Sequence, residues 1–172
     1  MPIAISLVVS SVVLFGGWFV YNSVAMENPL SDIVKKAPGV EQSQMNINSG
    51  EVSLKVKLSK DANLREIYNK VATEGASIIG SRKLNIEASN ESSPVLEEVW
   101  SKSLFQVAEA METMHYSKIP QALGDIAKSN PKIHVSTEMD DTNVYVSLSD
   151  GEHSKFVILP RTPAKIGVWP NE

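Results

Sequence analysis

The chain has 172 residues, with 16 Lys and Arg against 20 Asp and Glu, which gives a formal net charge of −4. This mildly acidic balance argues against non-specific nucleic-acid binding, which needs a basic face. The chain contains no cysteine, which excludes disulfides, thiol catalysis and thiolate metal sites.

The first 26 residues contain no Asp, Glu, Lys, Arg or His. Within them, the run from Ile3 to Tyr21 has only serine as a polar interruption before the tyrosine. At about 1.5 Å per residue a helix of this length spans roughly 28 Å, close to the ~30 Å hydrocarbon core of a bilayer. The sequence therefore predicts a transmembrane anchor over residues 1–26, with Trp18 and Tyr21 as a membrane-interface belt.

One face of the predicted span carries small residues. Ser6, Ser10, Val13 and Gly17 follow a spacing of four, three and four residues, which places them on one side of a helix. Such a stripe allows two helices to approach closely and predicts a helix–helix interface. The alternative is that these residues are simply common in spans.

A cleavage site after Ala25 is the main alternative to a retained anchor. Ser23 and Ala25 supply the small residues that a signal peptidase needs. However, no Lys or Arg precedes the apolar run, and the run is longer than the ~7–15 residues of a signal-peptide core. We therefore expect a single-pass protein of the cell membrane with a retained anchor.

The orientation in the membrane stays open between two alternatives. Lys35 and Lys36 follow the span closely, and the positive-inside rule would place the C-terminal part in the cytoplasm. Many single-span bacterial anchors with a short N-terminus instead deliver the following domain outward.

Residues 27–42 are predicted to connect the anchor to the soluble part. Leu30, Ile33 and Val34 give one apolar face over about two turns, which predicts a short helix. The sequence Ala-Pro-Gly at 37–39 ends that helix, because proline cannot continue it.

Residues 43–160 are predicted to form one α+β domain that begins with a hairpin. Met45 and Ile47 alternate with polar residues, and Asn-Ser-Gly at 48–50 supplies a turn in which the glycine takes a positive φ. The returning arm has the clearest strand pattern in the chain, with apolar residues at Val52, Leu54, Val56 and Leu58.

A helix and a third strand follow the hairpin. Asp61 is the predicted N-cap of a helix that Gly80 stops, and residues 84–88 alternate as a strand. Residues 29–88 therefore have the order helix–strand–strand–helix–strand. This αββαβ order resembles the small ring-building domains of bacterial sporulation and type III secretion assemblies, and that resemblance implies a role in assembly at a membrane.

The longest helix of the soluble part is predicted to start at Ser93, an N-cap followed by a proline. Pro120 ends it, and a shorter helix continues to Ser129. One stripe is expected to face the core, with Trp100 and the methionines read as core rather than as a ligand platform or a partner groove. The stripe consists of Leu96, Trp100, Leu104, Val107, Met111 and Met114.

The end of the chain is predicted to be β-rich. Strands at 133–137, 144–148 and 156–159 form a meander, with Asp-Gly at 150–151 in its second turn. Residues 161–172 read as an extended tail that carries Trp169. After the anchor, the complete order is α-β-β-α-β-α-β-β-β, with antiparallel strands and two or three packed helices.

No local catalytic or cofactor motif occurs in the sequence, so we expect neither an enzyme nor a cofactor. His134 and Glu138 share a strand face but stand about 13 Å apart. His134, His153 and His115 could form a metal site only if a helix end and two strands converged, and the acidic turn residues could attract a divalent cation. For both groups, the interpretation as solvated surface residues is favoured over a metal site. The acidic turn residues are Glu138, Asp140, Asp141 and Asp150.

Four residues are candidates for contacts with a partner or with lipid headgroups. Lys55, Lys57 and Lys83 would form a basic strip if their strands are neighbours. The alternative is a solvated sheet face that is protected from aggregation. Trp169 either folds back on the sheet or anchors a partner.

Two functional hypotheses result. The first is a single-pass, membrane-anchored, non-enzymatic interaction or assembly domain of a bacterial-type membrane protein, with the bilayer and a protein partner or a second copy as its partners. The second is a membrane-tethered sensor of a small ligand or metal, or an enzyme with a dispersed site at residues such as His134, Glu138 and His153.

Overall fold

A computed structural model describes residues 2–22, 26–89 and 92–161, and in the first helix the side chains of residues 6, 8–17, 20 and 21. The chain is α+β and divides into two compact units, residues 1–87 and 88–172. Each unit contributes one three-stranded sheet, with strand orders β1-β2-β3 and β4-β5-β6. The sequence predicts a single soluble domain over 43–160 instead.

The first helix, α1, runs Pro2–Asn22 and has no acidic residue in its first turn and no basic residue in its last. Its described large apolar side chains, Val8 to Tyr21, are 56% to 76% exposed. Within the described residues, no helix is long and apolar enough to cross a membrane. A transmembrane role for residues 1–26 therefore stays a prediction from the sequence.

The first unit continues with α2 (Asn28–Lys35), which matches the short helix expected in the connector. The hairpin is formed by β1 (Val40–Ile47) and β2 (Glu51–Leu58), which pair antiparallel. Then come α3 (Leu64–Glu74), α4 (Ala76–Ile79) and β3 (Lys83–Ser89). The predicted αββαβ order is therefore present, with the second helix in two pieces.

The hairpin turn uses a different device from the one expected. Gly50 does not take a positive φ, and the described glycines that do are Gly39, Gly80 and Gly151. Instead, the Asn48 side-chain oxygen accepts hydrogen bonds from the N–H groups of Gly50 (2.9 Å) and Glu51 (2.8 Å). An asparagine side chain can thus close the turn without a left-handed residue.

The N-cap prediction for α3 was wrong by two residues. Asn63, with extended backbone angles, accepts the N–H of Glu66 at 2.9 Å, and helix α3 begins at Leu64. The helix then breaks at Gly75, where an added Cβ would lie 2.5 Å from the Val71 carbonyl and 2.7 Å from Leu30 Cδ1. The backbone of this position is packed directly beneath α2, so a larger residue does not fit.

Strand β3 lies on the far side of β2 from β1. The Lys83 N–H donates to the Gly50 carbonyl at 3.0 Å, so the starts of β2 and β3 are adjacent. Further along, Lys55 of β2 reaches Glu87 of β3. Strands with adjacent starts run in the same direction and need a crossover such as α3, so this pair departs from the antiparallel arrangement expected from sequence.

The second unit contains α5 (Pro94–Glu112), α6 (Lys118–Ala127), β4 (His134–Met139), β5 (Asn143–Ser149) and β6 (Ser154–Pro160). The three strands form the predicted antiparallel meander. Its core combines one face of the meander with α5 and α6, through buried residues that include Leu96, Val107, Ile119, Leu123, Val146 and Leu148.

The core stripe predicted for α5 is only partly correct. Leu104 and Met114 are about half exposed, and Trp100 and Met111 are partly buried. The two steps of four from Leu96 to Leu104 turn about 80° beyond two full turns, which moves Leu104 away from the buried face, and Met114 lies beyond the end of α5 at Glu112. The face that is buried consists of Leu96, Val99, Ser103, Val107 and Ala110.

The cap of α3 gives the first test. We expect Asn63→Ala to lower the free energy of unfolding by about 1 kcal/mol, because the N–H of Glu66 loses its acceptor. Asn63→Asp should restore it. Asp61→Ala is the matched control, and we expect it to change stability by less than about 0.5 kcal/mol. Urea denaturation of the three variants decides; an equal loss in Asp61→Ala would show that Asn63 is not the cap.

Candidate functional site

The predicted helix–helix interface falls on α1. Ser6, Ser10, Val13 and Gly17 are all exposed, as is Tyr21 of the predicted belt. An additional Cβ on Gly17 would meet nothing within 4 Å. The side chain of Trp18 lies outside the described part of the chain. These residues thus share an accessible face, and their role in helix pairing stays a prediction.

The predicted lysine strip lies on the polar face of the first sheet but is not a purely basic surface. Lys55 pairs with Glu87 and Lys57 pairs with Glu41, each at 3.8 Å. With Lys83 on the adjoining strand, lysines and glutamates alternate across this face. Mixed charge of this kind suits a solvated sheet face better than binding to anionic headgroups. Trp169 lies outside the described residues.

The histidines considered for chemistry stay apart. His134 of β4 pairs with Ser149 of β5, and Ser149 pairs in turn with Ser154 of β6. His153, which precedes β6, is therefore two strands away from His134, or about 10 Å. In the described ranges 2–22, 26–89 and 92–161, no group of three or more His, Asp or Glu residues is arranged to hold a metal ion.

The turn between β4 and β5 forms a closed polar cluster around Asp140. One carboxylate oxygen accepts from the backbone N–H groups of Thr142 and Asn143, both at 2.8 Å, and the other accepts from the Tyr145 hydroxyl at 2.6 Å. Burial raises the pKa of Asp140, but these hydrogen bonds outweigh it and the net pKa lies below its usual value. The Asp140 carboxylate is therefore engaged by hydrogen-bond donors from its own turn and from β5.

Arg161 fastens the end of β6 to the same cluster. Its guanidinium donates to the Asp140 carbonyl oxygen and lies 4.7 Å from the centre of the Tyr116 ring. Its backbone N–H donates to Thr142 at 2.8 Å. The contacts of the Arg161 guanidinium with the Tyr116 ring and with the β4–β5 turn hold the connection between α5 and α6 against the end of the meander.

A second polar contact joins the start of α5 to the turn before β6. Ser93 caps α5 by accepting the N–H of Leu96 at 3.2 Å, and its hydroxyl also bonds to Asp150. The Ser93 hydroxyl and then the His153 N–H, at 2.8 Å, lower the pKa of Asp150 to about 2. A cap predicted from sequence thus also fixes a turn far along the chain.

An open groove of about 460 Å³ lies between α5 and α6 in the second unit. Its apolar lining consists of Val95, Val99, Ile126 and Ile133. Its rim carries Glu98 and Lys102, which form a 2.6 Å ion pair, and Asp125, which pairs with Lys128 at 2.7 Å. The hydrogen bond from Lys102 lowers the pKa of Glu98. An apolar floor with balanced rim charges suits a neutral, largely apolar ligand or side chain.

The outer face of α5 carries an exposed aromatic residue that the sequence analysis missed. Phe105 is 86% exposed, and Leu104 beside it is 45% exposed. Phe105 stands nine residues after the buried Leu96, a rotation of half a turn, so it faces away from the core. The helical period therefore contained the signal. Leu104 and Phe105 form an apolar ridge on α5.

Trp100 is held by charged neighbours at the inner edge of that ridge. Lys155 of β6 lies 6.0 Å from the centre of the Trp100 ring and bonds the Glu97 carboxylate at 2.9 Å. The hydrogen bond from Lys155 is the main cause that lowers the pKa of Glu97. This arrangement favours a structural role for Trp100 in fixing α5 to the sheet.

The chain matches no protein-family model, no curated protein and no solved structure. The resemblance of residues 29–88 to ring-building domains stays a prediction that rests on the αββαβ order.

Asp150 gives a test by pH. Because its folded pKa is lowered from 3.8 to about 2, its contribution is present above pH ~4 and is lost as the pH falls toward 2. We expect Asp150→Asn to lower the free energy of unfolding at pH 7 by on the order of 1–2 kcal/mol and to flatten its decline between pH 5 and pH 2. Urea unfolding at a series of pH values measures both.

Ser93→Ala is the companion variant, because it removes the largest cause of the low pKa. It should flatten the same acid decline, and the double variant should add little further flattening. Fully additive effects of the two substitutions would show that Ser93 and Asp150 do not act as a pair.

Proposed function

We propose that the chain is a single-pass membrane protein whose α+β units act without catalysis, by binding a protein partner or further copies of the chain at the membrane surface. The observation that carries this proposal is α1, a helix of 21 residues whose described apolar side chains stand exposed. An exposed apolar surface of this extent is unusual in a soluble monomer and marks contact with lipid or protein.

The complete sequence of the segment supports lipid as the main contact. Residues 1–26 contain no Asp, Glu, Lys, Arg or His. At about 1.5 Å per residue, the apolar run from Ile3 to Tyr21 in the sequence would extend over roughly 28 Å as a helix, close to the ~30 Å hydrocarbon core of a bilayer. The retained form, uncleaved after Ala25, is part of the proposal, and the side of the membrane that holds the units is left to reporter fusions at the C-terminus.

The α5 ridge supports the interaction function. Aromatic residues are enriched in the cores of protein–protein interfaces, and a phenylalanine as exposed as Phe105 gains most from burial by a partner. Its neighbours on the same helix, Glu98, Lys102 and Glu109, are engaged in ion pairs at the rim. An apolar centre with a paired polar rim is the usual composition of a binding surface.

The groove between α5 and α6 favours a second function, the sensing of a small ligand. A volume of about 460 Å³ falls within the range of small-molecule sites. If the groove binds a ligand, a panel of apolar metabolites should contain one that raises the melting temperature of the full chain in detergent. Ile126→Arg should abolish that shift. No response to any compound would count against this function.

The anchor is tested by membrane extraction of the full chain. We expect the protein to stay in the membrane pellet through alkaline carbonate and urea washes and to leave it only in detergent. Val9→Arg with Val13→Arg should release it, since each arginine at a helix centre costs about 2.5–3.5 kcal/mol on insertion.

The matched control is Val95→Arg, the same change at an exposed valine of α5, and it should leave extraction unchanged. A wild-type chain that washes off in carbonate would overturn the anchor. A chain that stays in the membrane but gives no cross-linked partner or oligomer there would overturn the interaction function.

A further inference from the structure

We propose that the free edge of β1 pairs with β1 of a second copy of this chain, which joins two three-stranded sheets into one of six strands. This inference rests on the proposed function and names its partner. Strand β1 is at the edge of its sheet, with β2 as its only strand neighbour in the described residues. It runs over eight residues, Val40–Ile47, the joint longest strand with β2.

The hydrogen-bond register shows which backbone groups face the free edge. The Asn48 N–H donates to the Glu51 carbonyl at 2.9 Å, so this pair is hydrogen-bonded. Bonded and non-bonded pairs alternate along an antiparallel ladder. The bonded pairs are therefore Asn46–Ser53, Gln44–Lys55 and Gln42–Lys57 in the observed register. The N–H and C=O groups of Ser43, Met45 and Ile47 point away from β2.

In the part of the chain that the structure describes, the strand β1 carries none of the sequence features that keep edge strands from adding to one another. Proteins protect edges with lysine, proline, inward charges or short strands. Residues 42–47 are Gln-Ser-Gln-Met-Asn-Ile and contain none of these, and the irregularity between Val40 and Gln42 lies at one end of the strand. Six consecutive neutral residues thus present an open ladder.

This segment is complementary to itself. An antiparallel pair centred on Met45 places Met45 opposite Met45 of the second copy, and Ser43 opposite Ile47 of the second copy. All outward-facing groups of residues 43–47 are then paired, because each bonded pair exchanges two hydrogen bonds. On the polar face, Gln44 lies beside Asn46 of the second copy, and two amides can bond to each other.

Electrostatics and geometry favour a second copy over a foreign peptide. The segment has no charge with which to select an oppositely charged peptide, and Glu41, its nearest charge, is already paired with Lys57. Two-fold contacts between copies are the commonest oligomer interface, and confinement to one membrane raises the effective concentration of copies. Met45 and Ile47 are half-buried and would become buried on pairing.

The experiment uses single cysteines in the full chain in membranes, which is straightforward because the protein has no cysteine of its own. In Met45→Cys, mild oxidation should give a disulfide dimer of twice the chain mass, since opposed strand residues have suitable Cα separations for a disulfide. Gln44→Cys expressed together with Asn46→Cys should give the mixed dimer. Glu66→Cys, on the exposed side of α3, is the control for random collision.

Two sets of variants test whether strand pairing causes the dimer. Ser43→Pro removes an outward N–H without breaking a bond to β2, so the fold should persist while the Met45→Cys dimer falls at least about tenfold. The double change Gln44→Glu with Asn46→Glu places like charges opposite each other between copies. Within each copy, the new carboxylate at position 44 lies opposite Lys55, which carries the opposite charge. The dimer should again fall about tenfold. Mixing with Gln44→Lys, Asn46→Lys copies should restore it.

The outcomes separate this inference from the proposed function. A chain that resists carbonate and forms oligomers, but whose Met45→Cys dimer is no stronger than the Glu66→Cys dimer, overturns β1 pairing alone. An adduct of a mass other than twice the chain overturns the second copy as occupant. A dimer unchanged by Ser43→Pro and by the paired glutamates also overturns it. A chain that washes off the membrane overturns the proposed function itself.

Discussion

The register of β2 is the constraint on which the first unit depends. Val52, Leu54, Val56 and Leu58 are all at most 5% exposed, while the intervening residues carry the charges of the polar face. Because successive side chains point to opposite faces, a slip of one residue would bury Lys55 and Lys57 and expose the core. The hairpin closed by Asn48 fixes this register on one side, and the Lys83–Gly50 hydrogen bond fixes it on the other.

The second unit relies instead on contacts between its helix starts and its turns. Its sheet is a local meander, so the main requirement is that α5 settle in one rotation over the strands. Two side-chain contacts fix the first turn of α5. Ser93 bonds Asp150 in the turn before β6, and Glu97 bonds Lys155 at the start of β6. In that rotation Phe105 faces outward, so the exposure of the α5 ridge follows from the contacts that fix the helix over the sheet.

Elements with a strong period could be predicted from the sequence, and details set by tertiary contacts could not. The strand of β2 and the cap at Ser93 follow from local alternation and capping chemistry. The N-cap of α3 was predicted at Asp61 instead of Asn63, because both side chains can cap a helix and only the backbone angles distinguish the two positions. The division into two units and the groove between α5 and α6 depend on packing between distant segments, which no local pattern specifies. The outward Phe105 was predictable from the helical period alone.

Pairing of β1 with a second copy is compatible with two anchors in one membrane for a geometric reason. In an antiparallel pair, opposed residues point to the same face of the sheet, so the two-fold axis that relates the strands is perpendicular to the sheet. The buried faces of both sheets then lie on one side. Helix α2, which contacts β1 and buries Leu30 and Val34, lies on that side in each copy. Residues 26 and 27 lead directly into α2, so the segment that we propose as the anchor would join the six-stranded sheet on the same face in both copies.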